Sequence, residues 1–464
     1  MTYTEILTDM ASETSVDDLP DAALSAAKKL ILDALGCALI GRNAPGVQET
    51  AAQMDKWGGS PEASIIGAPQ GIPAPNAAFA NGAMIHAFDL DDIYIPGTLH
   101  LSSVLVPTTL AVQQLTGATG QDALAALVMG VEVAGRIGMA ERNRRRGGRF
   151  LPTSLAGGFG AVVVAARMMQ LSPEECVHAL GINYAQTSGN RQALMDCTLT
   201  KRMQPGFAAR SALWAASLAQ RGVTGPEHAL EGDAGYFQTY MNGDVPAVDE
   251  LTESRDWLQI ERVAFKRWPS CGACHHAQAA AEQIYAEEDF CPHDIDRVEL
   301  FGCAPLVSGP FTPGDNPQVS AQFSVEWAVA HTLLRGPASL SDYTDKAVRS
   351  DREVAELTHQ IEHVGRPDDL PSRPEIPTDY PDRSVAYQGA IVHSSDGDRF
   401  TGAQCPAQTF APGNMSFEDV VDKFHQCAEF GGGVSDPVAD QIVDIVRRYE
   451  SEDGAERLMK LLCL

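Results

Sequence analysis

Apolar positions recur at helical spacing through most of the first 260 residues. Leu24, Ala27, Leu30, Ile31, Ala34 and Leu35 fall on one helical stripe, with Asp21 placed to cap it. The same period predicts helices over 76–88, 101–115, 122–139, 158–170, 173–180 and 207–220. Ser172 before Pro173, with Glu175 three residues on from the serine, is a helix-start signature. Alanine and glycine dominate these stretches, which suits closely packed helices. No repeat of fixed period is present.

The pattern changes near residue 260. Alternation of apolar and polar positions predicts strands over 260–265 and 297–300, and a hairpin from 386–392 and 399–403 around a Gly397 turn. Between them lie a helix over 320–333 and a long polar segment, 339–383. Helical spacing returns over 416–430, 437–450 and 455–462. The expectation is a mainly α protein with a discontinuous helical domain, 1–264 and 408–464, and a smaller α+β domain, 265–407.

Composition narrows the function classes. A chain of 464 residues exceeds one ordinary core. With 44% hydrophobic and 20% charged residues it reads as a soluble globular protein. Neither an uninterrupted apolar stretch of about 18 residues nor a secretory signal is read from the sequence, so a cytoplasmic location is expected. A net charge of −27 disfavours nucleic acid and anionic membrane as partners. An anionic substrate would then need a local basic island, for which Lys201/Arg202, Lys266/Arg267 and the arginine run 142–149 are candidates. Ten cysteines are too few for a disulfide scaffold of this length.

Chemistry concentrates in the stretch 265–276, which carries Lys266, Arg267, Cys271, Cys274, His275 and His276. Taken alone it allows a metal or haem site, a redox dithiol, or a thiolate at a helix N-terminus. Haem attachment needs an exported setting. A zinc site would have to draw on Cys291 and His293, whose spacing is poor. A thioredoxin-type dithiol belongs in a βαβ context. A second polar stretch, His86-Ala87-Phe88-Asp89-Leu90-Asp91-Asp92, ends an apolar helix and is followed by His100. Three aspartates in four residues cannot all be buried without partners.

The sequence resembles the MmgE/PrpD family in these residues and several others. They include Gly157–Ala161, Lys201-Arg202 leading to Gly206, Thr224-Gly225-Pro226, Phe265-Lys266 with Pro269 and His275, and Phe323-Ser324-Val325. That family includes 2-methylcitrate dehydratase, cis-aconitate decarboxylase and iminodisuccinate epimerase. The resemblance implies a large helical domain with an α+β lid, a homodimer, and no metal or organic cofactor. It also implies a small di- to tetracarboxylate substrate held in a cleft between the domains. Against decarboxylase-like members, Ile93 stands for threonine, Leu151 for histidine, Gln204 for a frequent histidine, Cys271 for histidine and Trp327 for tyrosine.

Inverting a carbon α to a carboxylate needs one base, a conjugate acid on the opposite face, and cations for the enolate charge. A thiol at a helix N-terminus beside Lys266 and His275 favours thiolate. The resemblance therefore points to an epimerase of an aminopolycarboxylate such as iminodisuccinate, with Lys201 and Cys271 as opposed bases. Asp89, His100, Arg202, Gln204, Lys266, His275 and Trp327 would bind substrate. A lyase of the dehydratase or decarboxylase type is the alternative, and a redox or metal module on Cys271/Cys274 the second.

Overall fold

The chain divides into two units in the computed structural model, which describes residues 1–68, 70–142, 144, 148–253, 255–307, 311–370, 387–451 and 455–463. The first unit comprises Met1–Arg191, Arg202–Phe265 and Met415–Leu464; the second comprises Gln192–Lys201 and Lys266–Asn414. This division departs from the sequence expectation at 192–201, which joins the second unit, and at 408–414. The reason for the first departure is burial: Leu194 packs with Val319 and Phe323 of the second unit. Part of the arginine run (143 and 145–147) and part of the polar segment (371–383), together with the start of the expected hairpin at 386, lie outside the described residues.

The first unit is helical, and small residues set its spacing. Helices Gly120–Arg142 and Pro152–Met168 pack against each other at Gly130 and Gly160. A Cβ on Gly160 would lie 2.3 Å from the Gly130 carbonyl oxygen, so only glycine permits this approach. Gly82 of helix Ala74–Ile85 meets Gly206 in the same manner. Helix Gly120–Arg142 is long and apolar enough to cross a membrane, unlike the sequence expectation of no such stretch, and its most apolar window is 94% buried within the fold. Its apolarity therefore serves the core. Helix Asp21–Gly41 packs against the returning helix Phe417–Gly431. Asp21 is its first helical residue and makes no cap bond, because Pro20 occupies the cap position. Ser172 does cap its helix, accepting from the Glu175 N–H in a full capping box.

Two short pieces differ from expectation. The predicted strand over 260–265 is a 3₁₀ turn, Gln259–Arg262, followed by the two-residue strand Val263–Ala264, antiparallel to Ile93–Tyr94. The predicted helix over 207–220 starts earlier, as Thr200–Ala219, and carries Pro205 in its second turn.

The second unit holds a four-stranded sheet: β1 (Ile295–Phe301), β2 (Ile361–Val364), β3 (Gln388–Ser394) and β4 (Arg399–Gln404). Its order is β2-β1-β3-β4, with β1 and β2 parallel and the other pairs antiparallel. Strand β2 was hidden in the polar segment because none of its four residues is fully buried. Helices Gly272–Tyr285 and Val325–Arg335 pack together, and their inner faces share one core with β1 and β3. The single helix expected over 320–333 is broken into Pro317–Gln322 and Val325–Arg335, with Ser324 capping the second through the Trp327 N–H at 3.1 Å. The break leaves Phe323 outside both helices.

Candidate active site

In the first unit, helix Ala74–Ile85 ends at His86, and the chain reverses through Asp89, whose φ is +52°. A left-handed aspartate costs on the order of 1 kcal/mol, and such strain concentrates at functional sites. The reversal brings two carboxylates to one imidazole. His86 Nδ1 lies 2.7 Å from Asp91 Oδ2, and Nε2 lies 3.9 Å from Asp89 Oδ1. Asp91 is thus the carboxylate partner of His86. The side chains of His86, Asp89 and Asp91 are buried, and their ligating atoms lie within 4.8 Å of one another.

His100 stands beside this group, its ring 5.1 Å from that of His86. Its Nδ1 donates to the Asp92 carbonyl oxygen at 2.7 Å, so Nε2 is the nitrogen suited to take a proton in the neutral ring. Asp92 itself is architectural. Its carboxylate accepts from the Leu101 and Ser102 N–H groups at 3.0 and 2.8 Å and thereby starts helix Ser102–Thr116. Burial, reinforced by Asp91 and opposed by Ser102, pushes its pKa up to about 7.

The backbone between these aspartates is pinned from the C-terminal part of the unit. Lys423 Nζ donates to the Leu90 carbonyl at 2.9 Å and pairs with Asp33 at 2.5 Å. Burial is the largest influence and opposes the charge on Lys423, but Asp33 together with Cys37 and Cys427 outweighs it and the pKa is raised.

Arg202 and Gln204, expected to bind substrate, hold backbone in the first unit. Arg202 donates to the Pro45 carbonyl at 3.1 Å. Gln204 grips Asn190 from both sides, accepting from its N–H at 2.9 Å and donating to its carbonyl at 3.0 Å. That bidentate clamp gives the amide of Gln204 a structural role.

In the second unit, Lys201 and Cys271 border one small apolar cluster. Lys201 is 6% exposed, and its ammonium lies 4.8 Å from the centre of Phe323. Cys271 packs half-buried against the cluster of Leu194, Val319 and Phe323. It is the N-cap of helix Gly272–Tyr285, as its sequence context suggested, and its own N–H donates to the Gln322 carbonyl at 2.8 Å. The sulfur therefore sits at the positive end of a helix. Phe323 also lines a cavity of about 410 Å³ with Cys197, Asn316, Ser320, Ser324 and Glu326.

Lys266 is fully buried. His275, one turn into the helix, points Nε2 at the Trp268 carbonyl at 3.1 Å between the rings of Trp268 and Phe410. Cys274 lies in the core with its thiol facing the Gln322 carbonyl at 3.9 Å, which makes it a packing residue. Trp327, expected to bind substrate, is 1% exposed and packs on Tyr343, His331 and Phe311. It is core, because the helix that starts at Val325 turns its face inward. The larger groove of the first unit, about 840 Å³ beside Trp214 and Arg167, contains none of these residues.

A large helical unit, a smaller unit with one mixed sheet, and sites built from proton donors and acceptors define a two-domain protein of a recognisable class. The MmgE/PrpD N-terminal domain matches residues 5–249 and the MmgE/PrpD C-terminal domain matches residues 268–448, so the chain belongs to the MmgE/PrpD family. It is 29% identical over 461 residues to human cis-aconitate decarboxylase, covering 96% of this chain and 92% of that protein. It is 26% identical over 476 residues to the mouse cis-aconitate decarboxylase, covering 99% and 93%. A cis-aconitate decarboxylase-like protein from Aspergillus oryzae is 28% identical over 372 residues, covering 74% and 76%. These relatives carry lyase names, which favours the lyase alternative of the sequence reading over the epimerase.

Proposed function

We propose that the chain is a cofactor-independent lyase that removes carbon dioxide or water from a small polycarboxylate. Likeness to decarboxylases over nearly the whole chain supports the reaction class. The observation that carries the chemistry is that Lys201, over the Phe323 ring, and Cys271 border the same small cluster of Leu194, Val319 and Phe323. An ammonium that is nearly dry holds a substrate carboxylate or a developing enolate strongly. A thiol at a helix N-terminus delivers or takes the proton at the neighbouring carbon. His100, with its Nδ1 proton tied to the Asp92 carbonyl, is the candidate base of the first unit. Elimination needs a base together with an acid for the departing group or the new C–H bond, and a thiol and an ammonium are groups able to fill those roles. The substitutions Ile93, Leu151 and Cys271 argue for a polycarboxylate other than cis-aconitate.

One observation favours a second reading, epimerisation of an aminopolycarboxylate such as iminodisuccinate. Cys271 and Lys201 carry side chains of the two kinds that a two-base inversion uses, and both border the cluster that holds Phe323. Incubation with a panel of di- to tetracarboxylates in D₂O separates the two. The lyase releases carbon dioxide or forms an alkene absorbing in the ultraviolet. Inversion with deuterium at the α-carbon, and neither of those products, would overturn it in favour of the epimerase.

A further inference from the structure

Two helices of the first unit, Ser102–Thr116 and Pro152–Met168, pack side by side with their starts together. His100, just ahead of the first, donates its N–H to the Thr153 hydroxyl in the opening turn of the second at 3.0 Å. One turn further along, a Cβ on Gly157 would lie 3.1 Å from Val104 Cγ2. The helices therefore run parallel, and their two positive ends lie next to each other. Negative charge stabilises such ends. The chain supplies it to one of them, where the Asp92 carboxylate accepts from the Leu101 and Ser102 N–H groups. The start of Pro152–Met168 has no side-chain cap, because Leu151 holds the cap position. Ser154, the third residue of that helix, is 2% exposed, and among the described residues its hydroxyl has no hydrogen-bond partner. Each Cα–Cβ bond in a helix tilts toward the N-terminus, so the Ser154 side chain leans toward the uncapped end.

We infer that Ser154 and the uncapped start of Pro152–Met168 form a carboxylate subsite, which takes one carboxylate of the substrate and holds it beside His100. The carboxylate accepts from the Ser154 hydroxyl and from the N–H groups of the first turn, and it brings the missing charge to the second helix end. Asp92 does the same at the neighbouring end, so the protein itself shows that a carboxylate suits this position. Gly189 keeps the helix start clear, since a Cβ there would lie 2.9 Å from Ser154 Cβ and 3.1 Å from the Leu151 carbonyl oxygen. His100, Leu151 and Gly189 are half-buried, so the subsite borders solvent. The identity of its ligand, a polycarboxylate, rests on the proposed lyase reading.

Tricarballylate, a saturated tricarboxylate with no hydroxyl to lose, reports binding without turnover. Its affinity is measured by titration calorimetry on the full-length protein, beside thermal unfolding without ligand. Ser154→Ala should weaken binding about 10-fold, the worth of one hydrogen bond to a charged group. Its unliganded thermal transition should stay level or rise, because a buried hydroxyl without a partner is removed. Ser154→Asp supplies a carboxylate to the helix start from the chain itself, so it should abolish binding and keep the transition. Unchanged affinity in Ser154→Ala overturns the subsite, as does a parent protein that binds no tricarballylate at millimolar concentration. A lowered unliganded transition in Ser154→Ala also overturns it, by giving the hydroxyl a role within the fold. Binding that depends on Ser154, with neither carbon dioxide nor alkene formed from any polycarboxylate tested, would remove the lyase reading and keep the subsite.

Discussion

Lys423 donates to the carbonyl of Leu90 at 2.9 Å, reaching from a helix near the C-terminus to the residue between Asp89 and Asp91. The same ammonium pairs with Asp33 at 2.5 Å, so one buried cation ties three parts of the first unit together. The backbone that carries the two carboxylates facing His86 is therefore held by a group remote in sequence.

Lys423→Met leaves the Asp33 carboxylate buried without its cation. Breaking a buried pair from one side costs about 3–5 kcal/mol, because an uncompensated charge remains. Chemical denaturation should show a loss of that size, and Asp33→Asn added to Lys423→Met should recover part of it. A double substitution no more stable than Lys423→Met alone would show that the hydrogen bond to Leu90, rather than the ion pair, dominates.

Lys201→Ala and Cys271→Ser test the cluster of Leu194, Val319 and Phe323 that both residues border. Each should lower turnover on the best polycarboxylate by about 100-fold or more, the scale of one proton-transfer or charge-stabilising group. Folding should survive, since a cation–π contact contributes only about 0.5–2 kcal/mol. Unchanged turnover in Cys271→Ser, measured beside an intact thermal transition, removes the thiol from the mechanism.

Much of this architecture was legible from patterning, and the exceptions have physical causes. Helices of the first unit showed because their buried faces repeat at helical spacing, as in Leu30, Ile31, Ala34 and Leu35. Cys271 could be placed at a helix start because an alanine-rich run follows a Pro-Ser-Cys-Gly segment. Strand β2 could not be seen: Glu362 and His363 are exposed and no alternation marks it. Nor could the role of Trp327, since an indole on a helix face reads alike as core or pocket wall. The break before Val325 decides it by turning that face inward. Gln204 and Arg202 have the right chemistry for carboxylates, but their partners, Asn190 and Pro45, are carbonyl and amide groups of loops whose paths only the fold defines.

Asp92 gives a pH dependence of definite sign. Its folded pKa of about 7 lies above the ordinary value of 3.8, so the folded state holds a proton that the unfolded state has lost. Its contribution is fully present below pH 3.8 and is lost as the pH rises toward 7. The loss runs at up to about 1.4 kcal/mol per pH unit. Asp92→Asn keeps one acceptor for the Leu101 and Ser102 N–H groups and removes the titration. Urea denaturation of both proteins across this window should show the difference in stability shrinking as the pH rises. A constant difference would show that Asp92 is ionised in the folded protein throughout.

His276 has the opposite sign and so provides an independent check. It lies buried against Phe410, and burial pushes its pKa down from 6.5 to about 4. Between these values the unfolded chain binds a proton that the folded chain refuses, so stability falls as the pH drops from 6.5 toward 4. His276→Gln, which does not titrate, should be less stable than the parent near pH 7 for want of the ring's packing against Phe410, yet lose less on acidification. The two unfolding free energies should therefore converge by about 1 kcal/mol or more between pH 6.5 and pH 4.5. Measuring this in the Asp92→Asn background removes the opposing slope. Parallel curves in that background would show that His276 takes up its proton in place, in a site wetter than its 7% exposure implies.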